Sequence, residues 1–457
     1  MDNQLSKRTF ALVLLMAAIA VSPPTAGAVA AVQFGAATNF PTGNNAGGIV
    51  VGDFNRDGKP DIVELTSAGV SVFLNLGNGM LAAPTNSFPR NYYNCAIAMG
   101  DFNNDGNLDI VITTHASGSP PQILLGDGHG NFLTETNLPS NFSYSTSVAV
   151  GDFNNDGNLD LAVPNDNGVA VASGRGDGSF GVSTNYALGN YAQGDCIRVG
   201  GIYRTGRVDL AVSVYSSATS NCFCVLSNNG DGTFASPRYY SAGGRNEYHY
   251  SLELGDFNAD GKPDVAVLNY NAQSVTIWIN SGSGNFAPAH TYALGFSPTR
   301  ITKADFNGDG NLDLVVRGDG TARLLLGNGD GSFIVTSQMA LASDISALYG
   351  TSVAVGDFDS DGRPGLAFVN SYTYYSNSVA IMLNQTPPIL QFAPVAGYNQ
   401  ITWLATFGTG YTLESTTNLS TPGGWQPFPY PPVVIGNQKA VADWATGEQK
   451  FYRLRKP

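Results

Sequence analysis

Residues 100–109 read GDFNNDGNLD, and residues 151–160 repeat the same ten letters. The phrase returns as GDFNRDGKPD at 52–61, GDFNADGKPD at 255–264 and ADFNGDGNLD at 304–313. Two copies are eroded, GGIYRTGRVD at 200–209 and GDFDSDGRPG at 356–365. The first motif position therefore falls at Asp53, Asp101, Asp152, Gly201, Asp256, Asp305 and Asp357, at intervals of 48, 51, 49, 55, 49 and 52 residues. A period near fifty, met seven times, marks a repeat architecture.

Each repeat has room for four short strands. In the second, strands are expected at Ala96–Phe102, Asp109–Thr114, Gln122–Gly126 and Phe132–Leu138. Between strands three and four lie Gly-rich turns such as Asp127-Gly128-His129-Gly130 and Asn328-Gly329-Asp330-Gly331, suited to tight hairpins. Four strands per unit of this length is the spacing of a β-propeller blade, so the fold class expected is an all-β seven-bladed propeller. The seventh repeat runs out at Ile381–Asn384, before Pro387-Pro388, with no fourth strand. Residues 34–44, FGAATNFPTGN, resemble the outer strand of the third repeat at 180–190, FGVSTNYALGN. The N-terminal segment is thus expected to supply the missing strand and remove an exposed edge.

The spacing D-x-N-x-D-G-x-x-D sets oxygen ligands at alternate positions of a tight loop. Positions 1, 3 and 5 are Asp53, Asn55 and Asp57; Asp101, Asn103 and Asp105; Asp152, Asn154 and Asp156; Asp256, Asn258 and Asp260; Asp305, Asn307 and Asp309; and Asp357, Asp359 and Asp361. Position 7 would act through its backbone carbonyl, which tolerates Lys59, Asn107, Asn158, Lys262, Asn311 or Arg363. Position 9 adds Asp61, Asp109, Asp160, Asp264 and Asp313, and the Gly at position 6 permits the sharp turn. Hard oxygen donors in a loop suit Ca²⁺ better than Zn²⁺ or copper. The fourth repeat, with Gly201, Tyr203 and Thr205 at ligand positions, is expected to bind no metal. The seventh has Gly365 at position 9, so a weaker sixth site is expected there.

Composition agrees. Charged residues make up only 12% of the 457, hydrophobic residues 43%, and there are 55 glycines, which excludes a coiled coil and a disordered chain. The formal net charge of -13 argues against nucleic acid or an anionic membrane as partner. Eighteen loop carboxylates account for that acidity. Residues 1–30 read as an export signal: Lys7 and Arg8, then the apolar run Phe10–Val21, then A-x-A sites at Ala26–Ala28 and Ala28–Ala30. No later segment is apolar enough to span a bilayer, so a secreted or surface-held, monomeric product is expected. Cys95, Cys196, Cys222 and Cys224 allow three disulfide connectivities in an oxidising compartment; Cys222 and Cys224 read as packing residues or a local disulfide.

On the Asp motif, residues 33–385 resemble the FG-GAP/VCBS repeat family and the calcium-binding propeller of integrin α subunits. The resemblance implies seven blades with Ca²⁺ between strands one and two, and it fixes no activity, because members include adhesion proteins, lectins and parts of enzymes. Domains are expected at 1–30 (signal), 31–386 (propeller) and 387–457. The last of these holds strand-like runs at 400–404, 411–416, 433–435, 439–444 and 451–455 with Trp403, Trp425 and Trp444, and looks like a small fibronectin-III-like sandwich.

Catalytic signals are sparse. His115, His129, His249 and His290 are scattered, and no G-x-S-x-G, H-E-x-x-H or P-loop occurs. The reading favoured is a binding or adhesion module for an extracellular glycan or protein; the alternatives are a Ca²⁺-dependent polysaccharide lyase or hydrolase, or a structural spacer. In a propeller the two-to-three loops and the connections between blades share the face opposite the metal loops. Tyr92, Tyr93, Tyr144, Tyr248, Tyr250, Tyr372, Tyr374 and Tyr375 fall there, with Tyr191, Tyr215, Tyr270 and Tyr349, and form the expected ligand face.

Overall fold

The computed structural model describes residues 32–455, apart from 43–46, 90–94, 115–120, 140–141, 143–144, 146, 167, 190–191, 204–205, 217–220, 242–247, 249–250, 319, 341–352, 371–377, 388–389, 396–397, 405–410, 418–423, 436–437 and 445–449. The export signal read at 1–30 lies outside these. Among the described residues there is no α-helix, and none long and apolar enough to cross a membrane.

The repeats form seven four-stranded antiparallel sheets, a propeller-like arrangement. In the second repeat the strands run Cys95–Gly100, Asp109–Thr114, Gln122–Gly126 and Phe132–Asn137, within a residue or two of expectation. Register is the same throughout. The residue before the motif pairs with motif position 9: Gly52 with Asp61, Gly100 with Asp109, Gly151 with Asp160, Gly200 with Asp209, Gly255 with Asp264, Ala304 with Asp313, and Gly356 with Gly365. The motif is therefore always the hairpin loop joining strands one and two.

Strand two is apolar on both sides because both sides are covered. Val63 and Leu65 of the first sheet pack on Ile110 and Ile112 of the second, while Ile62 faces the seventh sheet. The same exchange joins the second sheet to the third, the third to the fourth, and onward to the sixth and seventh. A seventh cluster joins the last sheet to the first through Ala367, Val379, Ile62 and Phe73.

The outer strand of the last sheet comes from the N-terminus, as the sequence match suggested. Thr38–Pro41 pairs antiparallel with Ser378–Met382, Phe34 bridges to Asn384, and Gln33 donates its N–H to Thr386 Oγ1 at 3.0 Å. Phe34 also meets Phe306 edge-on at 5.8 Å. Equivalent pairs, Phe54–Phe132, Phe102–Phe180 and Phe257–Phe333, join the motif Phe of one repeat to the outer aromatic of the next, so Phe34 stands in for the aromatic that the seventh repeat lacks.

Beyond Pro387 two further sheets face each other. One contains Gln391–Val395, Tyr398–Leu404, Gln438–Trp444 and Val433–Ile435; the other contains Gln426–Pro427, Thr412–Thr416 and Phe451–Arg455. Ile401, Trp403, Leu413 and Val441 form the core between them. Trp425 lies instead against the Arg453 guanidinium, 4.4 Å from its ring centre. The disulfides considered from sequence are not formed by Cys95, Cys196 or Cys224, which are buried thiols in the sheets. The side chain of Cys222 lies outside the described residues, as does that of Trp444.

One buried acid breaks the apolar pattern. Glu64 shares the Ile62 face of strand two, is fully buried, and has Oε1 without a partner while Oε2 accepts from Thr42 Oγ1. Burial pushes its carboxyl up to about 8, with the Thr42 hydroxyl pulling weakly the other way. The folded protein therefore keeps Glu64 protonated, whereas the unfolded chain ionises it near 4.5. Stability from this group is complete below pH 4.5 and is lost as pH rises towards 8. Glu64→Gln is expected to flatten that pH dependence, gaining most over wild type at pH 8, as read from melting temperatures at pH 5 and 8. Parallel pH profiles for the two proteins would refute it. Phe34→Ala should cost about 2 kcal/mol in urea unfolding, with the loss traced to the seam it shares with Phe306.

Candidate metal centre

Each loop is shaped by its own side chains. In the second, Asp101 Oδ1 accepts from Asp105 N–H at 3.1 Å and Asp101 Oδ2 from Gly106 N–H at 2.9 Å. Asn103 Oδ1 also accepts from Asp105 N–H, and Asp105 Oδ1 accepts from Asn107 N–H at 2.8 Å. The same bonds recur from Asp53, Asp152, Asp256, Asp305 and Asp357. In the five intact loops, positions 1, 3 and 5 thus turn side-chain oxygens onto the loop's own N–H groups. The Gly at position 6 is left-handed, as expected, with φ of 83° at Gly58 and Gly106.

Position 4 is also left-handed, which the motif reading missed: Arg56, Asn104, Asn155, Ala259 and Ser360 have φ from 57° to 61°. Asn104 and Asn155 carry the available signal, since Asn tolerates this region better than most residues.

Position 9 has a second job. Asp109 is fully buried; its Oδ2 accepts from Phe102 N–H at 2.8 Å and its Oδ1 from Gly126 N–H at 2.8 Å. It ties the loop to strand three. Asp61, Asp160, Asp264 and Asp313 do the same, and so does Asp209 in the fourth repeat, which has lost positions 1, 3 and 5. The seventh repeat is the converse: Gly365 replaces the tie, yet Asp357, Asp359 and Asp361 bring their oxygens within 4.8 Å of one another. Among the described residues this is the one acidic triad so closely gathered. The tie and the ligand set are therefore separable: the fourth repeat keeps the first without the second, and the seventh the second without the first.

The donor set fits a hard divalent cation. All side chains offered are carboxylates or amides, with no thiol or imidazole among them. The loops also carry crowded negative charge. Burial, helped by the charges of Asp105 and Asp101, raises the carboxyl of Asp109 to about 6 against the pull of the Gly126 and Phe102 N–H groups. Burial likewise lifts Asp264 to about 6 and Asp313 to about 7, each helped by its two loop neighbours. A cation in the loop would relieve that repulsion.

At position 7, beyond the carbonyl considered from sequence, the side chains act as well. Lys59 Nζ lies 2.8 Å from Asp57 Oδ2 and Lys262 Nζ lies 2.8 Å from Asp260 Oδ2, while Arg363 pairs with Asp361. Asn107 and Asn158 instead accept from position 4 of the preceding loop, from Arg56 Nη1 at 3.3 Å and Asn104 Nδ2 at 2.8 Å.

The tyrosine face is only partly described. Tyr92, Tyr93, Tyr144, Tyr250, Tyr372, Tyr374 and Tyr375 lie outside the described residues. Tyr248 is inside them and 37% exposed, stacked on Tyr215 at 4.4 Å with the rings 3° from parallel. Tyr215 is near the end of its strand two, remote from the motif loop that begins that strand.

Separation of the two roles can be measured. Asp109→Ala should cost about 2–5 kcal/mol whether or not Ca²⁺ is added, because two buried N–H groups lose their acceptor. Asp101→Asn should matter chiefly in Ca²⁺. Equal sensitivity of both variants to chelator would count against the division.

The FG-GAP-like repeat matches residues 53–112, 114–163, 152–212, 202–267, 256–316 and 305–368. No curated protein matches the chain in sequence. Among solved structures, it is similar to an Agrocybe aegerita lectin described as recognising non-reducing terminal N-acetylglucosamine. That likeness has 20% identity and a TM-score of 0.50, over 66% of this chain and 81% of the lectin. It is also similar to BBS1N, solved in complex with ARL6DN, at 12% identity and a TM-score of 0.51, over 78% of this chain and 98% of that one. Both likenesses concern the fold. With the repeat matched six times across most of its length, the chain belongs to the FG-GAP-like repeat family.

Proposed function

We propose that the chain is a calcium-braced, seven-bladed propeller, exported through residues 1–30, that serves as an extracellular binding module for a glycan or a protein. The seven sheets close on themselves through the strand at Thr38–Pro41 and the cluster joining the last sheet to the first. Ca²⁺ sits in the motif loops, held by positions 1, 3 and 5 and the carbonyl of position 7. Position 9 braces every loop but the seventh from beneath, and its carboxylate has further lone pairs to offer. The metal stiffens loops that also carry contacts to the next sheet, so its role is structural. The module at 387–457 places or attaches the propeller.

The observation that carries the binding role is the Tyr215–Tyr248 stack, standing half-exposed at the end of the sheets away from the metal loops. Tyrosine gives a rigid apolar face with a polar tip, which suits the face of a sugar ring or a protein side chain. Likeness to a lectin fold supports the glycan reading.

Two measurements test this. Thermal melts should rise in Ca²⁺ and fall in EDTA; a ligand bound only to the native state adds about 2.7 kcal/mol at 100 times its dissociation constant. A glycan and matrix-protein binding screen should yield a ligand, and Tyr248→Ala should weaken it at least tenfold with the melting temperature unchanged. Binding that survives Tyr248→Ala and Tyr215→Ala intact would place the ligand elsewhere.

A further inference from the structure

The six acidic loops look alike at positions 1 and 5, yet they differ in what holds the outer oxygen of position 5. In three of them it is a neutral amide from position 3. Asn103 Nδ2 donates to Asp105 Oδ2 at 3.0 Å, Asn154 Nδ2 to Asp156 Oδ2 at 3.0 Å, and Asn307 Nδ2 to Asp309 Oδ2 at 2.9 Å. In the other three it is a cation from position 7: Lys59 on Asp57, Lys262 on Asp260, and Arg363 on Asp361.

We infer that this difference sorts the loops into two calcium-affinity classes, with position 7 as the determinant. This rests on the reading that the loops bind Ca²⁺ at all. Loops 101–109, 152–160 and 305–313 fill first. An arriving ion meets there an amide, which only has to rotate to exchange its N–H for its oxygen. Loops 53–61 and 256–264 fill later, because the ion must displace an ammonium from a ligand oxygen or bind beside it. The two lysines are about a third or more exposed, at 34% and 42%, so water screens the repulsion and each can swing away. A penalty of about tenfold in affinity is the scale expected. Arg56 lies beside the amide-held loop 101–109, and it bonds the Asn107 amide rather than a carboxylate.

The arginine loop stands apart from both classes. Arg363 is 4% exposed, and its Nη1 also donates to the Thr386 carbonyl at 2.7 Å, where the chain leaves the repeats. It cannot swing away without breaking that contact. The guanidinium therefore serves as a fixed internal cation for Asp357, Asp359 and Asp361, and this loop takes no Ca²⁺ in the range that fills the others.

The test is calorimetric titration of the intact, chelator-stripped chain with Ca²⁺. Three tight sites and two about tenfold weaker are expected. In Lys59→Asn/Lys262→Asn the two weak sites should join the tight class, and in Asn158→Lys one tight site should drop out of it. Five or six equivalent sites in the wild type, or an unchanged isotherm in the double variant, would overturn the sorting while leaving calcium binding intact. No heat and no bound Ca²⁺ by equilibrium dialysis would instead overturn the calcium reading on which the sorting stands.

Discussion

A single main-chain oxygen, that of motif position 2, connects each loop to the sheet that follows it. Phe54 carbonyl accepts from Gly130 N–H, Phe102 from Gly178, Phe153 from Gly232, and Phe257 from Gly331, at 2.9–3.1 Å. The set runs past the end of the chain's repeats, since Phe358 accepts from Gly79 in a turn of the first repeat. Amides add to it: Asn75, Asn228, Asn280 and Asn384 donate Nδ2 to the position-2 carbonyl of the preceding repeat. The Phe ring of the same residue is buried against the next sheet's outer aromatic. One residue thus fixes a loop, a turn and a seam, and it explains why the hairpin and its neighbour must share a register.

That coupling gives the loops mechanical importance whatever ion they hold. A loop that shifts moves the carbonyl at position 2, and with it the turn of the next sheet. Position 9 acts from within the same sheet, holding strand three to the loop through two backbone N–H groups. In the fourth repeat Asp209 keeps this arrangement after the ligand residues have gone, so the sheet persists where the metal set does not.

Much of this was legible in the sequence because the repeat displays it seven times. GDFNxDG placed the hairpins, and FGAATNF at 34–40 announced the strand that completes the last sheet. The single-copy features were harder. Nothing in the letters distinguishes Glu64 from an exposed strand acid, since only burial beside the seventh sheet changes its chemistry. Nor does the motif reveal that Lys59 lies on Asp57 while Asn107 turns to Arg56, because each depends on side-chain direction across a tight turn. The tyrosine face rests on residues in connections, and connections are where a repeat constrains the backbone least.

The last sheet joins segments from the two ends of the repeat region. Gln33 and Thr386, bonded across it, stand 353 residues apart in the chain. A ribosome delivers the outer strand first and its partner last. During synthesis the early strand waits without its neighbour, and Phe34 waits without Phe306. Closing so long a loop costs entropy that local hairpins avoid, and contacts of such separation form slowly. The final sheet is therefore the late step of assembly, and the interval before it is when the chain's unpaired edges are open to other chains.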